Sequence, residues 1–545
     1  GAGLAGRDGA RHPARGGRLV TPLLAEHVTA TPGAPAVIDE RGTTSWEELD
    51  RRVGQLVRGL RSRGLSEGDC VVAMLGNQVE MVEVSLACLQ GGWSLVPLNW
   101  HWVADEVRYV LADADAAVVV VDRRWVDVVR DALDVVRDDG DVPGASPTCV
   151  VVGADPAQGE SAYPDLFDTA GAGELSEPVR GGPMFYTSGT TGRPKGVRGS
   201  LAQVGGPTEM WTLMAHSMRP VLGLPDEGAV QCICGPMYHS AQWVISTFAL
   251  LCGATLVLQH RFDAGALLEL LDRHRVTNVH LVPTQMSRLV QLPSEQRDHF
   301  DGSSLCSVLH GAAPCPPAVK RSMIEWWGPV VTEYYGGTEG GFISTITSQE
   351  WLERPGSVGR PLEVVEVLVV DADGSAAPPG TAGDLYFRSL LGSRFEYHNA
   401  PDKTEAAHLA PGVATLGDIG FLDDDGYLFL SDRRIDMIVS GGVNIYPAEI
   451  EAALVGAGPV VDAAVFGIPD EEMGESVRAA LVLREGTEWD DATQHEVVAH
   501  CRERLAGYKC PRSFEVHAEL PRSEAGKLLK RSLRDPWWVG QDRRI

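Results

Sequence analysis

Positive charge is scarce in this 545-residue chain: 47 Lys and Arg face 74 Asp and Glu, for a formal net charge of −27. Repulsion on that scale opposes nucleic acid or an anionic membrane as the main partner, so any polyanionic ligand must meet a local positive site. Long apolar runs are missing as well. No uninterrupted stretch approaches the length of a membrane span, and residues 1–18 hold four arginines among glycines and alanines without the apolar core of a signal peptide. They read as a disordered lead-in. The ten cysteines lack the spacing of metal ligands or paired disulfides. Cys232 and Cys234 sit one residue apart in the alternating Val-Gln-Cys-Ile-Cys, where thiols on one strand face read as small hydrophobes. A reducing cytoplasm fits that usage. No internal repeat is visible.

The most informative stretch runs from Tyr186 to Gly196: Tyr-Thr-Ser-Gly-Thr-Thr-Gly-Arg-Pro-Lys-Gly. Gly189, Gly192 and Gly196 let the backbone bring its amides close to an anion, while Thr187, Ser188, Thr190 and Thr191, with Arg193 and Lys195, surround that anion with donors. Phe185 and Tyr186 end an apolar run, so the loop is predicted to follow a strand. A Walker loop needs Gly-Lys-Ser/Thr, whereas Lys195 lies between Pro194 and Gly196, which excludes an ordinary P-loop NTPase. A flexible Gly/Thr surface loop is the competing reading, but it has no use for such a density of donors.

The length exceeds what one hydrophobic core supports, so two or more domains are expected. Ser45-Trp-Glu-Glu-Leu-Asp resembles a helix start, and Cys70–Leu75, Ala116–Val121, Val150–Val152, Ala254–Leu258 and Val279–Val282 read as buried strands flanked by helices. The predicted class is α/β with parallel strands. After Ser344, short strands at Val364–Val370, Leu385–Arg388 and Tyr427–Leu430, separated by Gly and Asp turns, point to a smaller β-rich subdomain. Beyond Asp432 a final segment of about 110 residues mixes strands and helices and has the size of a separate domain. The expected division is a large domain over 19–432 and a small one over 433–545.

Four further segments carry chemistry: His310-Gly-Ala-Ala-Pro314, Glu333-Tyr-Tyr-Gly-Gly-Thr-Glu339, Leu416-Gly-Asp-Ile-Gly420 ahead of Asp432-Arg433, and Leu520-Pro-Arg-Ser-Glu-Ala-Gly-Lys527. In this order, with the loop, they resemble the acyl-adenylate-forming superfamily of acyl-CoA synthetases, beetle luciferases and peptide-synthetase adenylation domains, closest to bacterial acyl-CoA synthetases. The resemblance runs from about Thr43 to Arg531. It implies a large N-terminal domain of two β/α layers plus a β subdomain, a small mobile α+β C-terminal domain, and a site between them that uses ATP, Mg²⁺ and CoA.

By that resemblance Gly311, Ala312 and Ala313 flank the adenine, Tyr335 stacks on it and Glu333 accepts from its amino group. Gly336 belongs to the ATP-binding set, Thr338 contacts phosphate and Glu339 holds Mg²⁺. Asp418 and Arg433 take the ribose, Lys195 the departing pyrophosphate, and Lys527 bridges the substrate carboxylate and the α-phosphate. An aromatic face suits a nucleobase, and a hard divalent cation prefers carboxylate and phosphate oxygens. Gly441 and Gly442 would open the path for the CoA thiol after a rotation about Arg434 and Ile435.

His239, Trp243, Gly311 and Gly337 would border the acid and thiol site. The stretch Met237–Leu251 holds no acidic residue, so the ammonium of an amino acid would be buried without a partner. An apolar acid, fatty, aromatic or polycyclic, is therefore the expected substrate. Met237, Trp243 and Phe248 read either as pocket wall or as ordinary core.

Where similar proteins carry Asp or Lys at the hinge this chain has Ile435, which would be exposed in one domain orientation. That leaves open an enzyme that stops at the acyl-adenylate or passes the acyl group to a carrier protein or a partner thiolating enzyme. A non-catalytic nucleotide-binding scaffold is the reading from another class, opposed by the presence of Lys195, Glu339 and Lys527. Monomer or homodimer, and the identity of the acid, stay open.

Overall fold

The computed structural model describes residues 21–138, 147–168, 177–187, 194–371, 373–433, 436–440, 443–470, 473–505, 507–523, 526 and 528–539. The lead-in over 1–18, Ser188 to Gly192 of the glycine loop, Arg434, Ile435, Gly441, Gly442 and Lys527 lie outside the described residues.

Two sheets form the layers of the larger part. A six-stranded sheet orders Ser161–Ala162, Thr148–Val152, Ala116–Asp122, Cys70–Met74, Ser94–Pro97 and Gly182–Pro183, with every neighbouring pair parallel. Its central strands are runs of Val with scarcely a polar interruption, the pattern expected where helices cover both faces. The helix Trp46–Ser62 packs beside this layer. Its start is fixed by Ser45, whose hydroxyl accepts from the Glu48 amide at 3.2 Å.

A fifteen-stranded sheet makes the second layer. Its parallel part runs Pro35–Asp39, Thr255–Leu258, Val230–Ile233, Asn278–Leu281, Ser307–His310 and Val331–Gly337. Gly341–Thr347 then turns back antiparallel on Val331–Gly337, and Ser357–Pro361, Leu428–Arg433, Asp418–Leu422 and Gly383–Ser389 follow, all antiparallel. The β-rich stretch after Ser344 is thus joined to the parallel layer by continuous backbone hydrogen bonds and has no edge of its own there. Cys232 and Cys234 are buried and unpaired, as small-hydrophobe packing requires.

The last segment has its own five-stranded sheet, including Ile438–Ser440, Val460–Asp470 and Gly474–Leu483, and its own core of Ile438, Ile445, Leu454, Val465 and Leu481. Among the described residues no helix is long and apolar enough to cross a membrane.

Candidate active site

The glycine loop joins two strands of a small three-stranded sheet: Phe185–Thr187 pairs antiparallel with Lys195–Arg198, Thr187 facing Lys195. The sequence placed a strand before the loop; the one after it was not foreseen. The third strand, Glu396–Tyr397, sets Tyr397 opposite Val197. A Cβ on Gly196 would lie 3.1 Å from each of Met184, Tyr186 and His398, so a side chain there would press on all three. Tyr186 is braced from behind, donating to the Asp113 carboxylate at 2.6 Å.

The hairpin formed by Val331–Gly337 and Gly341–Thr347 carries the second motif. Gly336 crosses so close to the returning strand that a Cβ would sit 1.9 Å from the Gly341 carbonyl oxygen, which makes glycine obligatory. Thr338 and Glu339 occupy the hairpin tip. The Thr338 hydroxyl lies 2.8 Å from the Ser240 hydroxyl, at the first residue of the helix Ser240–Leu251. The Glu339 carboxylate accepts from the Tyr397 hydroxyl at 3.1 Å, and the face of the same tyrosine ring lies 4.9 Å from the Lys195 ammonium. Burial lowers the Lys195 pKa, Lys403 lowers it further, and Glu339 opposes both.

Back along the hairpin, Tyr335 donates to the Asp418 carboxylate at 2.7 Å. In the backbone register Asp418 stands opposite Arg433 across the Asp418–Leu422 and Leu428–Arg433 strands. Beside them, Gly311 abuts Tyr334, with a hypothetical Cβ 2.6 Å from that residue's carbonyl oxygen. Ala312 has φ of 68°, a left-handed conformation that costs a non-glycine residue on the order of 1–3 kcal/mol and marks a backbone shaped for something other than stability.

Two expectations need correction. Trp243 is wholly buried, its indole N–H donating to Ser85 at 2.9 Å and its ring edge-on to Phe185 and Trp211. It is core, as are Met237 and Phe248. A cavity of about 10 Å³ beside this helix, between Val82, Leu86, Met237 and Leu250, has room for one water. Glu333 is not turned toward a free pocket either: its carboxylate accepts from the fully buried Lys320 ammonium at 2.6 Å, and His310 stands 3.9 Å away.

His239 precedes the Ser240–Leu251 helix, with its Nε2 buried and unpartnered among the described residues. Burial pushes its imidazole down to about 4, so it is neutral at physiological pH. Gly337 packs against Leu416. Lys527 falls outside the described residues, but its neighbour Gly526, at φ of 73°, presses on the Val282–Thr284 turn of the large domain: a Cβ would meet the Thr284 hydroxyl at 2.1 Å.

Sequence reasoning missed Tyr397, Ser240 and Lys320. Tyr397 and Lys320 belong to none of the recognised segments, and the strand pairing that brings Tyr397 to the loop spans some 200 residues.

The profile of the AMP-binding enzyme family matches residues 24–392, and that of the AMP-binding enzyme C-terminal domain matches 449–527. The fatty acid–[acyl-carrier-protein] ligase ScoC of Streptomyces coeruleorubidus is 30% identical over 95% of this chain and 96% of its own length. A feruloyl-CoA synthase from Amycolatopsis sp is 32% identical over 92% and 96%. Among solved structures, the amide bond synthetase McbA of Marinactinospora thermotolerans superposes with a TM-score of 0.80 at 27% identity, covering 95% of this chain and all 100% of its own. The o-succinylbenzoate CoA synthetase of Bacillus subtilis, held with its acyl-adenylate intermediate, gives 0.77 at 27% identity over 96% and 99%. Matched along both its large and small parts, the chain belongs to the AMP-binding enzyme family.

Proposed function

We propose that this protein is an AMP-forming acid–thiol ligase that converts an apolar carboxylic acid to its acyl-adenylate with release of pyrophosphate, then to its CoA thioester. One observation carries the reading. A single β-hairpin carries Tyr335, bonded to Asp418, and Glu339, linked through Tyr397 to Lys195, which supports a nucleoside end at the first and a phosphate end at the second.

A carboxylate is a poor electrophile, because its charge repels nucleophiles and oxide is a bad leaving group. Attack of the carboxylate oxygen on the α-phosphorus of ATP, with the bond to pyrophosphate breaking in line, removes both obstacles. Tyr335 stacks on adenine, Asp418 and Arg433 hold the ribose, and Thr338 donates to phosphate. Lys195 and the donors of the glycine loop steady the departing pyrophosphate. Lys527 neutralises the two anions as they meet; a charge pair at 4 Å in a site of effective dielectric 20 is worth about 4 kcal/mol.

Glu339 suits a magnesium ion that arrives with ATP. The described residues contain no cluster of three protein ligands for a resident metal, and a hard cation already carried by phosphates needs only one or two carboxylates. When bound, the ion supplies further charge neutralisation at the leaving group.

In the second half-reaction the CoA sulfur attacks the acyl carbon and AMP leaves. His239, neutral and with an Nε2 unpartnered among the described residues, would border the acid, and a turn about Arg434 and Ile435 would bring Gly441 and Gly442 to the thiol path. Trp243 being core, acid selection falls to His239, Gly311, Gly337 and the main chain at the start of the Ser240–Leu251 helix.

A second reading, adenylation with transfer to a carrier protein or another acceptor, draws on Ile435 at the hinge and on the likeness to ScoC and McbA. Pyrophosphate release screened over carboxylic acids, with and without CoA, tests both. Acyl-CoA formation supports the first, and pyrophosphate release that CoA leaves unchanged supports the second. ATP binding without turnover of any acid would leave only a nucleotide-binding scaffold.

A further inference from the structure

Lys195 and Glu339 carry opposite charges into one partly buried site, yet among the described residues no ion pair closes between them and they interact only at a distance. Tyr397 stands between. Its hydroxyl donates to Glu339 and its ring face receives the Lys195 ammonium. We infer that Tyr397 is a positioning residue, a spacer that keeps the phosphate-binding lysine and the metal-binding carboxylate from collapsing onto each other before MgATP arrives.

The inference rests on the proposed roles of Lys195 and Glu339, and its physical basis is the competition for each charge. Opposite charges in a partly buried site attract each other, and a ring held in place between them opposes their contact. Tyr397 is rigid. Its amide donates to the Thr404 hydroxyl at 2.9 Å, its strand is zipped to the strand of Lys195, and the next residue, His398, donates its amide to the Gly196 carbonyl at 2.8 Å. Phe395 packs edge-on against the ring at 5.4 Å. The hydroxyl stays protonated, because burial and the neighbouring Glu339 both raise its pKa. It therefore presents a hydrogen to the carboxylate and no negative charge to the lysine.

The test is calorimetric ATP binding, once with Mg²⁺ and once with EDTA, for the parent, Tyr397→Phe, Tyr397→Leu and Tyr397→Leu/Glu339→Gln. Tyr397→Phe keeps the ring beneath Lys195 but frees Glu339, so MgATP binding weakens several-fold and metal-free ATP binding stays at the parent value. Tyr397→Leu lets Lys195 reach Glu339, and metal-free ATP binding weakens about tenfold. Adding Glu339→Gln removes the lysine's competitor and restores metal-free ATP binding, which no general damage to the fold would do. Parent-like metal-free binding in Tyr397→Leu, or its failure to recover in the double variant, overturns the inference. Should Tyr397→Leu not fold, Tyr397→Phe decides alone: a loss shared equally by both conditions, or absent from both, overturns it. A parent protein that binds no ATP at all would instead count against the proposed function.

Discussion

The Lys320 ammonium donates to the Glu333 carboxylate across 2.6 Å behind the adenine-side loop, and the same ammonium lies 4.9 Å from the face of Trp351. Such a pair holds two elements in register, here the helix Pro317–Trp327 and the strand Val331–Gly337, but adds little net stability, because desolvating both charges offsets their attraction. Breaking it is another matter. Lys320→Met leaves a buried carboxylate alone and is expected to cost about 3–5 kcal/mol in urea denaturation, with Lys320→Met/Glu333→Leu recovering most of the loss. A Lys320→Met protein as stable as the parent would show that water reaches Glu333.

In the proposed site the Tyr335–Asp418 hydrogen bond would aim the carboxylate at the ribose. Tyr335→Phe keeps the stacking face and loses only the hydroxyl, so KM for ATP should rise about two- to tenfold while kcat changes little. Asp418→Ala removes the acceptor itself and should raise KM further. Equal loss of kcat in Tyr335→Phe would place the hydroxyl in the chemical step.

The parts of the candidate site that the sequence pointed to are local. Gly336 and Gly337 before Thr338-Glu339 announce a tight hairpin within a few residues. Tyr397 did not, since its role depends on a strand pairing that brings it opposite Val197 from far along the chain. Lys320 reads as one more lysine on a helix until Glu333 is seen behind it. Trp243 could not be assigned from sequence because apolar side chains line pockets and fill cores alike; the Ser85 hydroxyl that takes its N–H is what decides for the core. The β subdomain was legible from its Gly- and Asp-rich turns, whereas the hydrogen bonds that join it to the large sheet leave no mark on composition.

Burial holds the His280 imidazole down at about 3, with its Nε2 3.1 Å from the Tyr334 hydroxyl. The unfolded chain's imidazole titrates near 6.5, so below that pH the unfolded state binds the extra proton. The stability this group contributes is complete above about pH 6.5 and drains away as pH falls toward 3. His280→Gln keeps a donor for Tyr334 and removes the titration. The slope of unfolding free energy against pH between 6 and 4 should shrink by about 1.4 kcal/mol per unit. An unchanged slope in guanidinium melts would mean His280 is protonated in the fold.

A Cβ on Gly526 would meet the Thr284 hydroxyl at 2.1 Å, so Gly526→Ala is expected to disturb the contact that this residue, next to Lys527 in sequence, makes with the large domain, quite apart from the strain of its φ of 73°. Acyl-adenylate formation is expected to slow by at least tenfold, while hydrolysis or thiolation of added acyl-adenylate is spared. Thr284→Gly in the same protein should return part of the rate. Lys527→Ala should be slower still, by about a hundredfold or more; adenylation at the parent rate would remove Lys527 from the mechanism.

At the hinge, Ile435→Asp should speed acyl-CoA formation relative to pyrophosphate release if the apolar side chain disfavours one domain orientation. A ratio that does not move would assign the balance to another part of the chain.

The pairing of Val37 with Leu256 and Ile38 with Val257 also bears on how the chain is made. The strand Pro35–Asp39 emerges early in synthesis, but its parallel partner Thr255–Leu258 follows more than two hundred residues later. Until then its only described partner is Gly42–Ser45, and Ala36 and Val37, buried in the finished sheet, stay exposed on the growing chain. The six-stranded sheet can close some seventy residues sooner, once Gly182–Pro183 appears. The two layers are therefore expected to mature in the reverse of the order in which their first strands are translated, and the waiting N-terminal strand is where a chaperone would find its most persistent binding site.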